Sequence, residues 1–108
     1  MRELAFGFGE LDDAVLKSIF DGMADIPSGR DRGQILKGLI GITNPMMVDP
    51  LIKIALYDPE DDAREEAVDA LATFLQMPRV RQTLEQVAQH DTHRKVKRHA
   101  RQALSRSN

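Results

Sequence analysis

The sequence predicts an all-α fold, a right-handed α-α superhelix of about three stacked helical hairpins with six helices. Three observations lead there. The stretch 58–75, DPEDDAREEAVDALATFL, places Ala63, Ala67, Ala70, Leu71 and Phe74 at helical spacing on one face. A shift of 33 lays residues 45–71 on residues 78–104 without a gap. Three of the five facial residues are alanine, so a neighbour must pack close against that helix.

The repeat matches where burial or a turn is required. Pro45 meets Pro78, Leu51 meets Leu84, and Ala55 meets Ala88. Asp58 meets Asp91, and Arg64 meets Lys97. Ala67, Ala70 and Leu71 meet Ala100, Ala103 and Leu104. Mismatches fall mostly on surface types. A shift of 32 adds a weaker upstream copy, with Arg32, Ile35, Gly38, Leu39 and Ile42 under Arg64, Ala67, Ala70, Leu71 and Phe74. The repeats then run over about 10–43, 44–76 and 77–105 of a single domain, 1–108.

Residues 1–9, MRELAFGFG, have no helical period. Leu4, Phe6 and Phe8 alternate with Gly7 and Gly9 near them, which predicts an extended segment laid over the first hairpin, with a partner-docking arm as the alternative. Helix one is expected from Glu10 to Ala24, with Leu11, Val15, Leu16, Ile19, Phe20 and Met23 inward. The loop 25–30 has turn chemistry in Pro27, Ser28 and Gly29. Helix two is expected from Asp31 to Thr43, with Asp31 and Gln34 resembling a capping box. Gly38 lies inside it and matches Ala70 and Ala103, so paired helices should nearly touch there.

Helix three is expected from Pro45 to Tyr57, capped by Asn44. Pro50 inside it means either a kink near 46–49 or a true start at Pro50. Helix four starts with Asp58 as N-cap and Pro59 in the first helical position, where its missing N–H costs nothing. Helix five is expected over 78–89, with Val80, Leu84, Val87 and Ala88 inward. Helix six is expected over 92–104, with Val96, Ala100, Ala103 and Leu104 inward.

Charge is distributed unevenly. Residues 1–76 carry a net −8 and residues 77–108 a net +6, within a formal total of −2. Such asymmetry suits an anionic partner or the acidic half of another copy, though a solvated last helix also explains it. The chain has no cysteine, so it offers no disulfide, thiol nucleophile or cysteine metal site, which is compatible with a reducing cytoplasm. No apolar run approaches the ~18 residues of a membrane span, and the N-terminus lacks a signal peptide's apolar core.

The segments NPMMVDPLIKIALYDPEDDAREEAVDALATF and MPRVRQTLEQVAQHDTHRKVKRHARQAL resemble HEAT repeats, of the short bacterial kind related to phycobilisome-lyase repeats. Pro50 matches the family's proline in the first helix, and Thr83 replaces it in the last copy. The resemblance implies that Asp58 and Asp91 in the turns, with Arg64 and Lys97 early in the second helices, form a hydrogen-bonded ladder between repeats. The first copy lacks a clean Asp equivalent. Tetratricopeptide repeats have a similar period, but their Trp and Leu-Gly signature is missing.

A stack of this kind makes a ridge of its second helices, usually the concave side. By repeat position it should present Gly33, Lys37 and Ile40, then Glu65, Asp69 and Ala72, then Arg98, Arg101 and Gln102. A mixed-charge ridge suits a protein or peptide partner, with Lys37, Glu65, Asp69, Arg98, Arg101 and Gln102 as the binding residues. Self-association fits as well, since three repeats are the lower end of what stacking needs. Nucleic acid is the alternative partner, through Arg94, Lys95, Lys97, Arg98, Arg101 and Arg106. The resemblance also admits a lyase-type accessory role.

No catalytic residue, metal or cofactor is expected. Glu65, Glu66 and Asp69 read as solvated charge on a helix. His90 and His93 flank Asp91 but lack an evident fourth ligand. Gly29-Arg30-Asp31-Arg32-Gly33 lacks P-loop spacing and reads as turn chemistry.

Overall fold

The computed structural model describes residues 11–106. Residues 1–9 of the expected extended segment lie outside the described residues. Six α-helices follow in order: α1 (Asp13–Met23), α2 (Gly29–Lys37), α3 (Val48–Tyr57), α4 (Asp61–Leu71), α5 (Pro78–His90) and α6 (Arg94–Ser105). Short 3₁₀ turns, Pro45–Met47 and Ala72–Phe74, precede α3 and follow α4. No strand occurs among the described residues.

The helices pack as hairpins. α3 lies on α4 and α5 on α6, while α4 sits between α2 and α6. Two layers result, the first helices on one side and the second helices on the other. Between them runs one apolar core that includes Leu16, Leu36, Leu51, Leu71, Leu84 and Val96, all fully buried. No helix among the described residues is long and apolar enough to cross a membrane.

The facial alanines are covered as helical spacing requires: Ala63, Ala67, Ala70, Ala100 and Ala103 are all buried. Small side chains let α4 take neighbours on both flanks. Val15 departs from its expected place: it is exposed, because α1 approaches the Pro45–Met47 turn more closely than it approaches α2 or α3.

Several boundaries are corrected. α2 starts earlier than expected, with Ser28 as N-cap: its Oγ accepts from the Asp31 amide at 3.2 Å, so Asp31 is not the cap. α2 also stops at Lys37 rather than Thr43. Gly38 ends the helix, and Gly41 turns the chain at φ 92°, so Leu39 and Ile42 reach the core from tight turns. Gly38 is therefore no contact point between paired helices; a Cβ there would meet only the Ile35 carbonyl.

The close approach belongs to Gly29 and Gly33, one helical turn apart on α2. A Cβ on Gly29 would lie 2.0 Å from Cβ of Glu60, and one on Gly33 would lie 3.2 Å from the Asp62 carbonyl oxygen. Gly33 thus faces α4 and is buried, and it does not belong to the exposed ridge.

Pro50 is the third residue of α3, where its missing N–H breaks no helical bond, so the chain changes from 3₁₀ to α at Val48. Asn44 caps the 3₁₀ turn, its Oδ1 accepting from the Met46 amide at 3.0 Å. Asp58 does not cap α4. It closes α3 in an extended conformation, as a residue before proline prefers, and Glu60 precedes the first turn of α4.

Candidate functional site

Asp58 and Asp91 close the first helices of their hairpins and turn the chain into the second. Each Oδ1 accepts from the amide two residues on, Glu60 at 2.9 Å and His93 at 2.8 Å. Each carboxylate also receives an arginine from the preceding hairpin. Arg32 donates through Nε and Nη2 to Asp58 at 2.9 and 2.7 Å, and Arg64 donates to Asp91 at 2.9 and 3.2 Å. The third nitrogen of each arginine donates to a backbone carbonyl, Ile26 at 2.7 Å and Asp58 at 2.8 Å. These side chains are almost wholly buried. The hydrogen bond to Asp58 pushes the Arg32 guanidinium above its ordinary range.

Arg32 was the member that sequence reasoning left out of the ladder. Its register 32 residues before Arg64 was the available signal. Lys97 holds the corresponding position on α6, and among the described residues no side chain pairs with it.

On the second-helix layer, α4 and α6 are joined by a second set of charges. His99 Nε2 lies 3.0 Å from Glu65, and its Nδ1 lies 2.9 Å from Asp69. Lys95 reaches the other oxygen of Glu65 at 3.4 Å. Glu65 is only 7% exposed. The reading of Glu65, Glu66 and Asp69 as solvated charge is thereby corrected: α6 covers Glu65, and His99 spans two carboxylates. Both ring nitrogens of His99 are thus engaged by carboxylates of α4. Ligand atoms of Glu65, Asp69 and His99 come within 4.8 Å of one another, the donor set a divalent cation could use. Here the three side chains already satisfy each other.

His90 is exposed, and Asp91 between the two histidines is taken by Arg64. His93 caps α6, its Nδ1 accepting from the Lys95 amide at 3.2 Å, while Nε2 faces Asp61 at 3.4 Å. The residues 29–33 read as a basic loop lie instead in the first turns of α2.

Glu66 is different. It is half-buried on α4, and no side-chain hydrogen bond or ion pair holds it among the described residues. Burial, then Asp69 and Glu65, raise its pKa above the ordinary carboxylate value, against weaker opposition from Lys37 and His99. Lys37, Arg98, Arg101 and Gln102 are exposed, as is Ile40, whereas Asp69 and Ala72 are half-buried. Arg98 and Arg101 stand one repeat after Glu65 and Val68, which are buried, and are themselves exposed.

On the opposite layer an open groove of about 640 Å³ lies between α1 and α3, with Phe20, Met23, Pro50, Ile54 and Tyr57 in its lining. Arg32 and Asp58 also border it, already paired with each other.

A profile described as HEAT repeats matches residues 16–105. No curated protein and no solved structure matches the chain. The profile spans both the gap-free pair of hairpins and the weaker first one, and the arginine–aspartate bonds run through that same span. The chain belongs to the HEAT-repeat family.

Proposed function

We propose that this HEAT-repeat chain is a protein-interaction module, and that it docks a peptide or protein segment of mixed charge along the ridge of α2, α4 and α6. One observation carries the reading. Glu66 sits at the middle of that ridge as a half-buried carboxylate without a partner of its own. Its neighbours Glu65 and Asp69 are engaged by His99, so Glu66 is the acceptor left for an incoming lysine or arginine. Lys37 on one side and Arg98 with Gln102 on the other then suit acidic or polar groups of the same partner. Glu65 and Asp69 serve the surface indirectly, by locking α4 to α6.

The test is affinity capture from the native host, with mass spectrometry of what is retained. Wild type is compared with the triple variant Lys37→Glu/Glu66→Lys/Arg98→Glu. Loss of the retained protein, with an unchanged thermal midpoint, supports the ridge. Equal retention by both places the docking face elsewhere.

A second reading has its own support. Arg94, Arg98, Arg101 and Arg106 are all exposed on or just past α6, and among the described residues none of them has an ion pair. If they bind nucleic acid, affinity falls steeply with salt, and Arg98→Glu/Arg101→Glu abolishes it. Absence of retardation at low salt removes this reading.

A further inference from the structure

We propose that the cavity at the corner of α4, α5 and α6 binds a phosphate group, with Arg81 and Arg106 as the residues that hold it. The proposal concerns the end of α4 and not the charged ridge. It places one phosphate in a cavity, not a nucleic-acid strand along α6.

The corner forms where the Ala72–Phe74 turn ends α4 and the chain leads into α5. It leaves a cavity of about 300 Å³, with Thr73, Gln76, Arg81 and Arg106 as polar lining. Leu75 and Ala103 of the core are among its apolar members. Arg81 is the fourth residue of α5, and Arg106 follows the last residue of α6. The lining includes no aspartate or glutamate.

Arg81 departs from its repeat in two ways. The shift of 33 sets it on Val48, which is fully buried. A guanidinium therefore occupies a place that the previous hairpin fills with an apolar side chain. An arginine stem can cover apolar surface as valine does, but its charged head needs a partner once part of its water is gone. Among the described residues three arginines are half-buried, and two of them have that partner: Arg32 holds Asp58 and Arg64 holds Asp91. No side-chain hydrogen bond or ion pair holds Arg81 among the described residues. Arg106 has none there either and borders the same cavity, so two like charges line one space without a carboxylate in its wall.

An anion is what such a pair of charges takes, and the lining points to its class. Two guanidinium groups match a phosphate monoester, at about −1.5 to −2, better than a single carboxylate. Their planar forks suit phosphate oxygens taken in pairs. The Thr73 hydroxyl and the Gln76 amide add neutral donors. The volume is at the lower end of ligand pockets, which suits a small phosphate compound or a phosphorylated side chain.

The test is NMR titration of the ¹⁵N-labelled full chain with inorganic phosphate and, separately, with O-phosphoserine, at constant ionic strength set by sodium chloride. Saturable shifts are expected at the amides of Thr73, Gln76 and Arg81, with a rise in thermal midpoint that chloride alone does not give. Either ligand binding more tightly supports the site, and the order tells an esterified phosphate from the free ion. Arg81→Val/Arg106→Gln should weaken binding ~10-fold or more, as loss of charge-assisted hydrogen bonds does. Arg81→Gln/Arg106→Gln, which keeps a polar side chain at both places, should lose binding in the same way. Lys53→Gln/Lys97→Gln removes the same charge elsewhere and should bind as wild type does. Three results overturn the proposal. Equal weakening in the arginine and lysine variants means that the response follows net charge. Acetate binding as tightly as phosphate gives the cavity to carboxylates. Absence of saturable shifts at the three amides means that no anion sits there.

Discussion

Arg64 leaves α4 and binds Asp91 of the next hairpin through two nitrogens, at 2.9 and 3.2 Å, in a site from which water is almost excluded. Arg32 does the same to Asp58 one repeat earlier. Each pair therefore fixes both the turn of one hairpin and its docking on the previous one.

Removing one partner strands a buried charge. Asp91→Ala is expected to cost ~3–5 kcal/mol in urea unfolding, and Arg64→Met/Asp91→Leu considerably less. Lys97→Ala, at the repeat position with no carboxylate opposite, should shift stability by less than ~0.5 kcal/mol. Equal losses for Asp91→Ala and Lys97→Ala would mean that the pair is not what holds the hairpins.

Glycine positions separate contact from helix propensity. In Gly29→Ala the new methyl group collides with Cβ of Glu60, which is no flexible side-chain tip, so the thermal midpoint should drop by several degrees. Gly22→Ala, near the end of α1 with open space around it, should raise stability by up to ~1 kcal/mol. Opposite signs at these two sites are the outcome to look for in thermal melts.

Ala70 is 1% exposed on α4. Ala70→Leu adds three carbons to a closed space and is expected to destabilise by ~1–3 kcal/mol. A parent-like thermal midpoint would show that α4 has room on that flank.

Glu66 has a signed pH dependence. Its carboxyl is raised in the fold, so the folded chain holds this proton at pH values where the unfolded chain has released it. The contribution of protonated Glu66 is fully present below the ordinary carboxylate pKa and is lost as pH rises through the raised one. Glu66→Gln should therefore be more stable than wild type at neutral pH, with the difference shrinking as pH falls through the raised value. Urea midpoints of both proteins across mildly acidic pH would measure it; a constant difference would sink the assignment.

Much of the helix order was legible because burial repeats with a period. Ala63, Ala67 and Leu71 announce a helix with one covered face whatever it packs on, and the shift of 33 carries that face to Ala100. Boundaries were less legible. Asp58 before Pro59 has every local mark of an N-cap, but a carboxylate held by Arg32 from another hairpin is drawn out of that role. Gly38 matched two alanines in register, yet the close approach of helices fell to Gly29 and Gly33, because which side of α2 meets α4 depends on how the hairpins stack.

By itself the sequence determined the all-helical class, the number of helices and which side chains are apolar enough to be covered, since these follow from local periodicity and composition. The tertiary structure alone decided that Arg32 reaches Asp58, that Glu65 is buried against His99 while Glu66 is left unpaired, and that α1 diverges from α3. Those are relations between residues some thirty positions apart, and their geometry is set by how one hairpin docks on another. No local spacing encodes that angle.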